Sequence, residues 1–196
     1  LESVKAACKY SNINFLIIKN KSELEKCSGF ILPGIGSFGS AIQNLKEIEI
    51  FESLKIQLCL KPTLAICLGM QLLLEKSEES QNEKGFCIIK GTCRKFKENL
   101  KIPHMGWNKA KIIRNDGIFK NLKNEPFFYF VHSYYVDILD KEIKTSETHY
   151  DNFKFISSFK YKNIFGVQFH PEKSSVNGLK MYKNFKDYID LYENTL

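Results

Sequence analysis

The sequence has no run of eighteen or more apolar residues, so no membrane-spanning helix is expected. Its six cysteines, at 8, 27, 59, 67, 87 and 93, never form a C-x-x-C pair, which argues against a structural zinc site. Arginine is scarce, with only Arg94 and Arg114 among 29 basic side chains. The net charge of +7 would suit a nucleic-acid partner. Planar phosphate recognition favours arginine, however, and the lysines here are scattered. A solvated lysine-rich surface is therefore expected, with no nucleic-acid and no membrane partner. No repeat, low-complexity tract or Pro/Gly/Ser-rich linker divides the chain. Its 196 residues and 43% apolar content predict one domain with its own core over 1–196. No charged-then-apolar leader opens it, so the cysteines are expected to be reduced thiols in a cytoplasmic protein.

What is present alternates strand and helix in the first third. Leu1, Val4 and Cys8 share a helical face. The apolar run Ile13 to Ile18 predicts a buried strand, and Ser22-x-x-Glu25 a capping box on a short helix. Gly29 to Leu32 predicts a strand broken by Pro33-Gly34-Ile35-Gly36. A helical stretch from about Ser40 to Leu60 follows, then a strand Thr63 to Ile66 ending at Cys67 and a helix through Leu74. This order predicts an α/β fold with a mostly parallel open sheet and flanking helices. Residues 86 to 113 read as shorter strands, with turns at Gly91, Asn99 and Gly106. Phe127 to Val131 is strongly β-forming, and Phe155 to Tyr161 pairs with Ile164 to Phe169 around Lys162-Asn163. These imply a smaller antiparallel component. A last helix from about Ser175 to Tyr192 shows an apolar face of Val176, Leu179, Tyr182, Phe185, Ile189 and Tyr192.

Three clusters carry chemistry. Cys67 ends an apolar strand, with Gly69 two residues on and a helix at once. A tight strand-to-helix turn projects its residue at the carboxyl edge of a sheet, where α/β proteins place their sites. The helix start favours the thiolate, and backbone N–H groups such as that of Leu68 suit an oxyanion. Spacing alone leaves a buried strand-end cysteine equally open. Phe169-His170-Pro171-Glu172 offers a base and a carboxylate to orient it, since a cysteine nucleophile needs both. A His-x-Glu pair by itself is usually structural. Pro33-Gly34-Ile35-Gly36 allows a ligand close to the main chain, yet it matches neither a P-loop nor a dinucleotide fingerprint. No metal or cofactor is expected.

Taken together, Cys67-Leu68-Gly69-Met70-Gln71, Pro33-Gly34-Ile35-Gly36-Ser37-Phe38-Gly39 and Gly166 through Ser174 resemble the class I glutamine amidotransferases. Pro103-His104-Met105-Gly106-Trp107-Asn108 and Tyr129-Phe130-Val131-His132-Ser133-Tyr134 narrow the likeness to the glutaminase subunits of the histidine pathway. The resemblance spans nearly the whole chain. It implies a Cys67–His170–Glu172 triad and an oxyanion hole from the backbone N–H groups of Ile35 and Leu68. It also implies glutamine contacts from Gly36, Gln71, Ser133 and Tyr134. Ammonia would pass to a (β/α)8-barrel cyclase subunit that docks on Trp107, Asn108, Tyr129 and Lys173. Without the family, Trp107 is as readily a core aromatic as an interface anchor. His104 and His132 receive no catalytic role and are expected to be hydrogen-bonded structural histidines; His149 reads as a loop residue. The family's first strand and its Asp-Tyr-Gly-x-Gly-Asn-type loop have no counterpart before Leu1. Around Phe86-Cys87 and at Asp151 the family more often has glycine. Other readings are a paralogous glutaminase serving a sugar-amidating synthase and a non-catalytic subunit that stabilises its partner.

Overall fold

The computed structural model describes residues 1–34, 36–97, 99–115 and 117–195. The chain opens in helix α1 (Glu2–Tyr10), whose Val4, Ala7 and Cys8 are buried. The short α2 (Lys21–Leu24) is not closed by the expected capping box. Ser22 bonds Asn20, and Glu23 rather than Glu25 reaches back to accept from the Lys19 N–H. Strand β1 (Phe30–Leu32) leads to helices α3 (Phe38–Glu47) and α4 (Phe51–Leu60). The single helical stretch expected from 40 to 60 is thus two helices, parted where Glu49 takes φ +57°. Strand β2 (Thr63–Ile66) and helix α5 (Leu68–Leu72) come next. Then follow β3 (Leu74–Ser77), β4 (Ser80–Lys84), β5 (Ile89–Lys95), β6 (His104–Lys109) and β7 (Lys111–Ile112). The rest comprises β8 (Phe127–His132), β9 (Tyr134–Ile138), β10 (Lys144–Tyr150), β11 (Phe153–Tyr161), β12 (Ile164–Val167) and α6 (Ser175–Glu193).

The large sheet runs β1-β2-β12-β11-β9-β5-β3-β4, with β10 and β7 branching from β11. The pairs β1–β2, β2–β12 and β3–β5 are parallel, and the others in this sheet are antiparallel. The α/β class holds, while the pairing is mixed rather than mostly parallel. Tight hairpins such as Lys162-Asn163, with Lys162 at φ +52°, return the chain at once and so force antiparallel neighbours. Strands β6 and β8 form a separate antiparallel ribbon.

Strand alternation divides the core into two layers. Leu64, Ile66, Phe165 and Val167 point into one cluster with α1, α6 and the ribbon's Phe128 and Phe130. Ala65 and Ile164 point the other way, into a cluster with Phe38, Ile42, Leu54, Leu58 and Met70. In α6, Tyr182 and Phe185 are buried as expected, but Val176 is exposed because it lies on the side of the helix opposite the buried Gly178, Met181, Tyr182 and Phe185.

The run Ile13–Ile18 forms no strand, and Phe15, Leu16 and Ile17 are exposed. Strand β1 is the last in the sheet, and a groove of about 790 Å³ lies between its outer edge and this run. An extended segment without a neighbour at hydrogen-bonding distance cannot build a ladder. Gly91 and Gly106, expected as turns, lie inside β5 and β6; a side chain at Gly91 would come within 2.5 Å of the Asp137 carbonyl. Cys87 (φ +54°) and Asp151 (φ +49°) occupy left-handed positions that suit glycine. Among the described residues no helix is long and apolar enough to cross a membrane.

Candidate active site

Strand β2, buried at all four residues, carries the chain into Cys67. Cys67 sits at φ +51°, ψ −108°, immediately before α5. Such a conformation costs a non-glycine residue about 1–3 kcal/mol and persists where the surroundings impose it. The imposing contacts are visible on both sides. The Cys67 N–H donates to the Val167 carbonyl at 2.7 Å, continuing the β2–β12 ladder. Two glycines then let main chain meet main chain. A Cβ at Gly34 would lie 2.3 Å from the Leu68 nitrogen, and one at Gly69 would lie 1.9 Å from the Leu32 carbonyl oxygen. Gly34 therefore lies directly against the turn that bears the sulfur. Helix α5 has only five residues, so the geometry of the turn matters more than any helix dipole.

The sulfur lies in polar company. As a thiol, Cys67 Sγ donates to the Val131 carbonyl at 3.8 Å, and Gln168 Nε2 donates to Sγ at 3.5 Å. The next chain segment beyond β12 brings His170. Its N–H donates to the Tyr129 carbonyl at 2.8 Å, and its carbonyl accepts from Ser174 Oγ at 2.6 Å. Pro171 opens a 3-10 turn over Pro171–Lys173 that folds Glu172 back. His170 Nδ1 and Glu172 Oε1 stand 2.8 Å apart with both side chains nearly buried. Nδ1 carries the proton toward the carboxylate, so Nε2 is the free end. Nε2 is buried and has no hydrogen-bond partner among the described residues. Burial alone would lower the imidazole's pKa; Cys67 and then Glu172 outweigh it and raise it to about 9.

Cys67, His170 and Glu172 open on one cavity of about 540 Å³. Gly36, Leu68, Gln71, Ser133 and Tyr134 line it as well, as does Lys173. Ile35 lies outside the described residues. Trp107 and Tyr129 sit apart from the cavity, paired across the ribbon's outer face with rings 6.3 Å apart. Trp107 is 54% exposed, so the core-aromatic reading fails. Lys173 Nζ stands 5.8 Å from the Tyr129 ring centre, linking cavity rim and ribbon. Asn108 lies on the ribbon's opposite face, where its Nδ2 donates to the His149 carbonyl at 2.8 Å. His149 belongs to β10, not to a loop.

Two residues of the site, Gln168 beside the sulfur and Glu79 on the cavity wall, had no role assigned from sequence. Gln168 stood inside a recognised run without one. Glu79 comes from the β3–β4 turn, accepts from the Phe38 N–H at 2.7 Å and puts a carboxylate on the cavity wall. Its only sequence signal is an acidic turn, Ser77-Glu78-Glu79-Ser80. Among the described residues no group of His, Cys, Asp and Glu could hold a metal ion.

A family profile described as "Glutamine amidotransferase class-I" matches residues 1–188. The chain belongs to the class I glutamine amidotransferases. Within this amidotransferase family it is 46% identical to imidazole glycerol phosphate synthase subunit HisH 1 of Campylobacter jejuni, over 92% of this chain and 90% of that protein. It is also 46% identical to the HisH subunit of Pyrococcus furiosus, over 87% of each. A solved glutamine amidotransferase structure, only 12% identical, superposes with a TM-score of 0.76 over 96% of this chain and 93% of the other, and so shares the amidotransferase fold. The amidotransferase is thus a glutamine-hydrolysing subunit of the histidine-biosynthetic HisH type.

Proposed function

We propose that Cys67 Sγ attacks the side-chain carboxamide of glutamine, with His170 Nε2 taking the thiol proton. The same imidazolium then hands its proton to the departing nitrogen, and ammonia leaves a thioester. Water, deprotonated by His170, hydrolyses the thioester to glutamate and restores the thiol. Glu172 holds the imidazole with Nε2 facing the sulfur. Backbone N–H groups of Leu68 and Ile35 would meet the oxyanion. Gly36, Gln71, Ser133 and Tyr134 would hold glutamine, and the Glu79 carboxylate suits its α-ammonium group. Ammonia passes to a (β/α)8-barrel cyclase that makes imidazole glycerol phosphate, docked on Trp107, Tyr129 and Lys173, while Asn108 turns inward to the histidines of the ribbon. The six free cysteines suit a cytoplasmic setting.

The observation that carries this reading is the strained Cys67 turn facing a buried His170–Glu172 pair in one cavity. Its test is glutamate release from glutamine by the chain, alone and with a histidine-pathway cyclase loaded with its nucleotide substrate. Strong stimulation by the loaded cyclase is expected. Cys67→Ala should abolish turnover and leave the complex intact. No stimulation, with Cys67 still reactive, would point to a different synthase as the ammonia acceptor.

A further inference from the structure

The proposed chemistry leaves unused two buried histidines that face each other across the ribbon, His104 on β6 and His132 on β8. His104 Nδ1 and His132 Nε2 are 3.0 Å apart. That contact alone does not say which nitrogen carries the proton, but the two ends of the line do. Asn108 Oδ1 accepts from the Lys109 N–H at 2.8 Å, which fixes the amide's orientation and leaves Nδ2 as a donor. Nδ2 donates to His104 Nε2 at 3.2 Å. His104 Nε2 is therefore bare, and its proton is on Nδ1. Nδ1–H must then donate to His132 Nε2, which is bare in turn. His132 Nδ1–H donates to the Tyr134 carbonyl at 2.8 Å. Every bond points one way, from the ribbon to the cavity wall. Burial lowers the pKa of His104 to about 4 and that of His132 to about 3, so both rings are neutral, as this line requires.

The line ends where a second one is anchored. The Tyr134 carbonyl also accepts from Gln71 Nε2 at 3.1 Å. That nitrogen's other proton goes to Gln168 Oε1 at 3.3 Å, and Gln168 Nε2 donates to the sulfur. We propose that His104 and His132 are positioning residues for Cys67: their one-way line fixes the Tyr134 carbonyl, which fixes Gln71 and Gln168 against Sγ. This inference rests on Cys67 being the nucleophile. Packing gives the rings a second role, since His104 stacks on Tyr150 at 4.1 Å and on Phe130 at 4.8 Å between ring centres. Packing accounts for flat rings, but not for a line of donors and acceptors that agrees at every step.

The test is the rate of Cys67 alkylation by iodoacetamide at one pH, read by peptide mass and set beside each thermal midpoint. Asn at 132 puts an N–H where Nδ1 stood and keeps the Tyr134 bond. Gln reaches only the Nε2 position, and Leu offers neither. His132→Asn, which keeps the Tyr134 bond but leaves the His104 Nδ1–H without its acceptor, is expected to fall about threefold, while His132→Gln and His132→Leu fall roughly tenfold, the upper end for one lost hydrogen bond between neutral groups. Rates that are equal in all three, or that simply track the midpoints, would overturn the proposal. Should these variants not fold, Asn108→Asp on the partly exposed ribbon removes the first donor, and an unchanged alkylation rate there would be equally fatal. Nitrogen-15 spectra of histidine-labelled chain should show both rings as the Nδ1–H tautomer; an Nε2–H form at either refutes the line. A chain in which Cys59 and Cys87 label but Cys67 never does would instead defeat the nucleophile reading itself.

Discussion

Replacing Gly34 with alanine tests the contact between the two loops. Gly34 does not have a positive φ, so alanine brings no backbone strain and the effect is purely steric. The new Cβ would lie 2.3 Å from the Leu68 nitrogen, 2.4 Å from the Leu68 Cβ and 2.7 Å from the Ile66 carbonyl oxygen. Two of these three atoms are main chain, so no rotamer change relieves the clash. The loops must separate by roughly 1 Å to reach ordinary contact. Overpacking of this kind costs about 1–3 kcal/mol of stability. The same displacement moves the Leu68 N–H away from a developing oxyanion. A misplacement of about 1 Å costs roughly 100-fold in rate, and loss of one oxyanion donor costs about as much or more. The assay is glutamate release at saturating glutamine with the loaded cyclase, at a temperature well below the variant's thermal midpoint. Turnover is expected to fall about 100-fold, with a smaller change in KM. A Gly34→Ala chain with turnover within about threefold and an unmoved midpoint would show that Gly34 does not press on Leu68 in the working enzyme.

Two further expectations follow from the site and the ribbon. The pKa of His170 is raised from 6.5 to about 9, so its contribution to stability is complete below pH 6.5 and is lost as the pH rises through 9. Glu172→Gln keeps the shape and removes a charge, so its thermal midpoint should vary less between pH 6.5 and 9.5; identical slopes would mean that the carboxylate does not act on the ring. Trp107→Ala should weaken cyclase binding by about 30-fold or more, the scale of an interface anchor. The chain's own midpoint should barely move, because Trp107 is 54% exposed; unchanged affinity by titration calorimetry would remove it from the interface.

Local composition made much of this legible. The apolar four-residue run Thr63–Ile66 is β2 with the bounds read from sequence, and FFYFV lies within β8. Punctuation by glycine and proline brought the Cys67 turn, Pro33, Gly34 and Gly36, and the His170–Glu172 pair into view, and the fold places them around one cavity. What stayed hidden depends on neighbours distant in sequence. Ile13–Ile18 has the composition of a strand but no strand beside it. Whether Glu23 or Glu25 reaches the helix start is a matter of which way a side chain turns. Glu79 reaches the cavity only because the β3–β4 turn folds over α3, bonding the Phe38 N–H. The role of His104 and His132 depends on which ring nitrogen holds a proton, and no spacing rule encodes that.

The exposed apolar run of Phe15, Leu16 and Ile17 has a consequence for how this chain behaves in a tube. Apolar side chains exposed in a row are surfaces on which one molecule can meet another. The opposing influence is the net charge of +7, almost all lysine, which keeps molecules apart. That repulsion reaches about 10 Å in 0.1 M salt and only about 3 Å in 1 M salt. Colloidal stability of this polypeptide is therefore a salt-dependent contest, greatest in dilute buffer and least in the concentrated salts often used to purify or crystallise proteins.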